Sequence, residues 1–236
     1  MSEFTSTDRG KYINGGAECN MAIVVDGIIG AGKSTVAKFL SEALDIPVYE
    51  ELLDDGKSTM AQRMLDRFYA DQKRWSAIIQ VMFLNDRFKD IKEVDATGKA
   101  AIFDRSIYGD EIFAKTIHDR GQMSRDEFKI YKELLHNMLL HVKPPELLIY
   151  IDVSIETAME RIRIRDRSTE AEMIPKDYMR DLRRNYESWF DSFDLCPKVR
   201  IDMDTHSLSE NEELTDEMKE TILDAVKPYL KDRYKF

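Results

Sequence analysis

The stretch Met21-Ala22-Ile23-Val24-Val25-Asp26-Gly27-Ile28-Ile29-Gly30-Ala31-Gly32-Lys33-Ser34-Thr35-Val36-Ala37-Lys38-Phe39-Leu40 decides the fold. Residues 27–34 fit the spacing G-x-x-x-x-G-K-[ST]. The apolar run 21–25 leads in as a buried strand, and Thr35 to Leu40 leaves with helical spacing. In that order the glycines let backbone N–H groups wrap phosphate oxygens, and the helix N-terminus adds partial positive charge. Gly27, Gly30, Ala31, Gly32, Lys33, Ser34 and Thr35 are thus expected to cradle a nucleoside triphosphate. Lys33 would reach the β- and γ-phosphates, and the Ser34 hydroxyl would ligate Mg²⁺.

Outward from this loop, strand-like runs alternate with helical ones. Strands are expected at 21–26, 47–50, 100–104, 147–152 and 198–202. Helices are expected at 33–44, 58–70, 75–94, 108–119, 124–141, 154–165, 175–194 and 210–226, with Asp71 to Arg74 breaking one long helical stretch. The alternation predicts an α/β fold, a P-loop kinase with a five-stranded parallel sheet flanked by helices on both faces. Residues 1–20 read as a flexible lead-in, 21–236 as a single domain, and about 165–174 as a mobile lid. Two look-alikes fail. Gly56-Lys57-Ser58-Thr59 repeats the GKST letters with Glu51 where the first glycine is required. Asp95-Ala96-Thr97-Gly98 spells D-x-x-G but precedes a strand instead of ending one.

Composition narrows the partners. The 236 residues carry a net charge of −10, with 43% hydrophobic and 34% charged residues. A nucleic-acid backbone needs a basic footprint, so no nucleic-acid partner is expected. No apolar run approaches the ~20 residues of a membrane span, so no membrane partner is expected either. Two cysteines, Cys19 and Cys196, stand in no metal or redox spacing, which fits a reducing, cytoplasmic setting. The positive charge gathers locally in Arg161, Arg163, Arg165, Arg167, Arg180, Arg183 and Arg184, a cluster suited to phosphate oxygens.

Acids fall at the carboxyl ends of expected strands, where open parallel sheets collect their functional groups. Asp104 ends Ala100-Ala101-Ile102-Phe103 and is placed to bind Mg²⁺ beside Ser34, directly or through water. Arg105 follows, able to steady an acceptor oxygen or a moving phosphoryl group. Glu50 ends Pro47-Val48-Tyr49 and could accept a hydroxyl proton near the γ-phosphate. Asp152 is read instead as the cap of a helix starting near Ser154. Gln80, Leu84 and Arg87 fall at i, i+4 and i+7, on one helix face, and Phe83 and Phe113 could supply stacking planes.

These residues resemble the deoxyribonucleoside kinases of the deoxycytidine/deoxyguanosine/deoxyadenosine kinase type, from about Ala22 to Asp204. The resemblance takes in the loop at 27–34, Tyr49-Glu50, Arg67-Phe68-Tyr69 and Trp75 to Phe88. It continues through Asp104-Arg105-Ser106-Ile107-Tyr108-Gly109-Asp110, Leu134 to Met138, Arg165 to Glu170 and Pro197 to Asp202. It implies transfer of the ATP γ-phosphate to the 5′-hydroxyl of a deoxyribonucleoside, deoxyadenosine before deoxyguanosine or deoxycytidine, in nucleotide salvage. It further implies Glu50 as catalytic base, with Arg105 and Lys33 completing the catalytic set. Gln80, Arg87 and Asp110 would enclose the base, and Tyr69 with Glu170 would hold the 3′-hydroxyl. Arg165 and Arg167 would close on the donor phosphates, and a homodimer would form through helices 75–94 and 124–141.

This sequence also departs from the family pattern. Glu50-Glu51-Leu52 stands where the family has E-P-V, so the carboxylate could slip to Glu51. Arg165-Asp166-Arg167 replaces R-G-R, and one extra residue before Ile174-Pro175 makes Glu172 a fallback for Glu170. Two other readings share the loop. A nucleoside monophosphate kinase of the thymidylate kinase type would want basic residues where Glu50 stands. A nucleotide-binding regulator would leave Gln80, Arg87 and Asp110 without converging roles.

Overall fold

The computed structural model describes residues 22–52, 59–164, 174–204 and 213–230. The expected lead-in, and Arg165, Arg167, Glu170 and Glu172 of the expected lid, lie outside them.

Strand β1 (Ala22–Gly27) is buried at all six residues, as a strand apolar on both faces must be in a parallel sheet covered by helices. It pairs in parallel with β3 (Ala101–Asp104) on one side and β4 (Leu147–Asp152) on the other. The edges are β2 (Val48–Tyr49), beside β3, and β5 (Lys198–Asp202), beside β4. The order β2-β3-β1-β4-β5 therefore makes the expected five-stranded parallel sheet. Its register puts Val25 opposite Asp104 and Tyr49 opposite Phe103. The glycine loop, Asp104-Arg105 and the acids after Tyr49 consequently emerge at the carboxyl end of the sheet.

Eight helices accompany it among the described residues: α1 (Lys33–Leu44), α2 (Thr59–Ala70), α3 (Gln72–Thr97), α4 (Asp110–Asp119), α5 (Arg125–Leu139), α6 (Ile155–Ile164), α7 (Lys176–Ser192) and α8 (Asp216–Val226). The expected break at 71–74 contracts to one residue. Asp71 accepts a hydrogen bond from Arg74 N at 3.2 Å and so caps α3. A second small core of Met64, Leu65 and Ile79 joins α2 to α3. None of the described helices is long and apolar enough to cross a membrane.

Asp152 does not cap α6. Ser154 does, its hydroxyl accepting from Thr157 N at 3.2 Å, while the Ser154 amide is taken by Asp204. Asp152 accepts instead from Arg183 (3.0 Å) and Arg200 (2.8 Å), because β5 and α7 bring two guanidinium groups to that strand end.

Candidate active site

The loop after β1 is shaped by what packs behind it. Gly30 has φ 76°, and a Cβ there would stand 2.4 Å from the Ala158 carbonyl of α6, so no side chain fits. Arg161 of α6 ties the loop to the sheet, donating to Ala31 O at 3.0 Å and Met203 O at 2.7 Å. Lys33 opens α1, is buried, and reaches Ile28 O at 3.4 Å. Burial pulls its ammonium below the ordinary lysine value, and the nearby Arg105 pulls the same way against Asp104, Glu51 and Asp26. A cation so poorly solvated gains more than an exposed one from an arriving phosphate.

Ser34 Oγ donates to Asp104 Oδ2 at 2.5 Å. The other oxygen, Asp104 Oδ1, is buried with no hydrogen-bond partner among the described residues. Burial raises the Asp104 carboxyl, with Lys33 as the main opposing influence. The Ser34 hydroxyl and the Asp104 carboxylate, with its one orphaned oxygen, fit Mg²⁺, which takes one or two protein carboxylates and keeps waters or phosphate oxygens for the rest. No group of three or more His, Cys, Asp or Glu able to hold a metal occurs among the described residues.

An open cleft of about 810 Å³, the solvent at its mouth included, runs from Gly30, Lys33 and Ser34 past Arg105 and Glu51 to Tyr69, Gln80, Phe83 and Arg87. Its walls include Leu65, Phe68 and Ile79 from the α2–α3 core and Phe113, Ile117 and Tyr178 from α4 and α7. Glu51 bridges two of its arginines. Its carboxylate pairs with Arg105 Nε at 3.1 Å and with Arg87 Nη2 at 3.3 Å. Arg87 in turn pairs with the buried Asp110. The Arg105 guanidinium lies over the Phe113 ring, 4.7 Å from its centroid, and Arg87 lies over Phe83 at 5.4 Å. Each expected plane thus already carries a cation.

Glu50, expected at the acceptor side, lies away from this cleft. Its carboxylate is turned to Lys38 of α1 at 3.3 Å, a partly solvated pair, and Glu50 lines a smaller adjoining hollow. Strand β2 ends at Tyr49, whose ring stacks on Phe103 with centroids 5.1 Å apart. With Tyr49 fixed, consecutive side chains leave on opposite sides. Glu50 goes to α1 and Glu51 to the cleft.

Arg105 departs from the ordinary backbone, with φ 69°. For a residue with a Cβ this costs about 1–2 kcal/mol. It lets Asp104 face Ser34 while the next side chain turns under the end of β1. Of the expected arginine cluster, Arg163, Arg183 and Arg184 pair with surface acids, to Glu160, Asp152 and Asp181 respectively. Sequence reading missed Tyr178 in the cleft wall, and it missed Asp26 and Tyr186, which hold Arg105 from behind. Only Asp26 carried a signal, as an acid inside an apolar strand.

Asp90 lines the adjoining hollow with Asp86 and Arg87. Burial first, then the Asp86 carboxylate, pushes its carboxyl up from 3.8 to about 6. A carboxyl that holds its proton more tightly when folded makes stability fall as pH rises through that window. Asp90→Asn is accordingly expected to add ~1 kcal/mol of stability near pH 7, after allowance for solvent screening, and nothing below about pH 4. Thermal melts at both pH values check this.

The deoxynucleoside kinase family profile matches residues 23–227. The chain is 36% identical over 213 residues to a deoxyguanosine kinase of Lactobacillus acidophilus, covering 87% of this chain and 90% of that one. It is 32% identical over 219 residues to a deoxyadenosine/deoxycytidine kinase of Bacillus subtilis, covering 92% and 96%. Among solved structures, the deoxyadenosine kinase of M. mycoides with bound dCTP superimposes with a TM-score of 0.70 at 26% identity, covering 88% of this chain and 99% of that one.

Proposed function

The chain belongs to the deoxynucleoside kinase family and is an ATP-dependent phosphotransferase, and on that footing we propose that it transfers the ATP γ-phosphate to the 5′-hydroxyl of a deoxyribonucleoside. Deoxyadenosine is our first substrate, then deoxyguanosine or deoxycytidine, and the setting is cytoplasmic nucleotide salvage. The observation that carries this reading is one cleft in which Glu51 joins Arg105, beside Lys33 and Ser34, to Arg87, with Gln80 in the same wall.

In this reading Lys33 and the loop amides hold the β- and γ-phosphates. When bound between Ser34 and Asp104, Mg²⁺ supplies charge neutralisation on the same phosphates. Glu51 takes the proton of the 5′-hydroxyl, the role expected of Glu50, and Arg105 steadies the moving phosphoryl group. The planar amide of Gln80 offers a donor and an acceptor to the base edge, flanked by Arg87 and Asp110. Tyr69 and Glu170 hold the 3′-hydroxyl, and Arg165 and Arg167 close on the donor phosphates. The exposed apolar residues Ile78 and Val81 on α3 and Ile130 on α5 support a homodimer through those helices.

A panel of four deoxynucleosides with ATP and Mg²⁺, run beside the matching deoxynucleotides, tests the reading. Phosphorylation of nucleotides but not nucleosides would return the thymidylate kinase alternative. An acid at the acceptor position argues against that outcome, since an acceptor phosphate would be repelled. Asp110→Ala is expected to alter kcat/KM between bases by at least ~10-fold while leaving KM for ATP within about twofold. An equal loss across all bases would contradict a base-reading role.

A further inference from the structure

Arg105 uses only one side of its guanidinium in the cleft. Nε faces Glu51, but Nη1 points inward and donates to Gly27 O at 2.8 Å and to the Tyr186 hydroxyl at 2.6 Å. The Tyr186 hydroxyl then donates to Asp26 Oδ1 at 2.8 Å. That oxygen also lies 3.3 Å from Nη1 and accepts the Gly27 amide at 2.8 Å, which closes the ring of contacts. Asp26 and Tyr186 are 1% and 0% exposed. Neither lines the cleft.

A carboxylate directly before a phosphate-binding loop has the wrong charge for the ligand. Here its charge is offset from behind by Arg105 and it accepts a hydrogen bond from Tyr186, so it contributes orientation without presenting its charge to phosphate. Gly109 leaves room for it, since a Cβ at that position would stand 2.4 Å from Asp26 Oδ2. Tyr186 is equally fixed. Its helix is pinned on either side of it by Asn185 donating to Thr116 Oγ1 at 2.9 Å and Trp189 donating to Tyr108 O at 3.0 Å.

We propose that Asp26 and Tyr186 are positioning residues, a buried clamp that holds Arg105 in its left-handed backbone conformation with its Nε edge aimed at the acceptor side of the cleft. The clamp rests on the role assigned to Arg105 above. Because Arg105 acts on the phosphoryl group only as it moves, a small misalignment lowers turnover and leaves ground-state binding intact.

Tyr186→Phe keeps the ring and deletes the hydroxyl. Its kcat, per nucleotide-binding site counted by equilibrium titration, is expected to fall ~10–100-fold, with KM for ATP and nucleoside within about twofold. Asp26→Asn should do the same if it folds. In an Arg105→Lys background the Tyr186→Phe change should cost no further activity, since the group it aims is gone. A Tyr186→Phe kcat within about twofold of the parent would overturn the clamp. So would an undiminished Tyr186→Phe loss in the Arg105→Lys background. Should Arg105→Lys alone leave kcat unchanged, the assigned role of Arg105 fails, and the clamp with it.

Discussion

Lys33→Ala is expected to lower phosphoryl transfer by ~10³-fold or more, to the floor of a coupled ADP-release assay. Lys33 is a buried ammonium at the mouth of α1, weakened by desolvation and by Arg105. Such a group is held in readiness for an anion, and it supplies charge where the γ-phosphoryl oxygens gather it in the transition state. Alanine removes that charge and leaves Asp104 and Glu51 facing the phosphates with less to offset them. Both binding of ATP and turnover should suffer. Activity near the parent level would falsify the donor site. A milder loss for Lys33→Arg would be uninformative about charge alone, because the longer fork does not fit the space of an ammonium.

The second large effect separates two neighbouring acids. Glu51→Gln is expected to reduce kcat by ~10²-fold with a modest change in KM, as for removal of a general base. Glutamine keeps the shape but accepts protons poorly, and it weakens the pairing to Arg105 and Arg87. Glu50→Gln is expected to stay within about twofold of the parent, because its partner is the exposed Lys38 and solvated pairs contribute little. Steady-state kinetics on the two variants, side by side, checks the assignment. A dead Glu50→Gln with an active Glu51→Gln would return the base to Glu50.

These two acids also mark the limit of sequence reading. The run Pro47 to Glu51 announces a strand ending in carboxylates, and the family pattern has one acid where this chain has two. Which one enters the cleft depends on where β2 stops, and that depends on Tyr49 stacking on Phe103 of a strand more than fifty residues away. A shift of one residue exchanges the faces. Asp152 went wrong for a similar reason. Its local context suits a helix cap, but Arg183 and Arg200 arrive from α7 and β5 and claim it.

By itself the sequence determined the strand–loop–helix of the nucleotide site, the five-stranded parallel sheet, the Ser34–Asp104 juxtaposition and the family. All of these are written in short-range spacing, in hydrophobic period, or in motifs whose order along the chain is the signal. Only the tertiary structure decided that Glu51 faces Arg105 and Arg87, and that Asp26 and Tyr186 grip Arg105 from behind. Those contacts join residues up to 160 positions apart in the chain. Their geometry is set by helix docking and strand register, which no local pattern encodes.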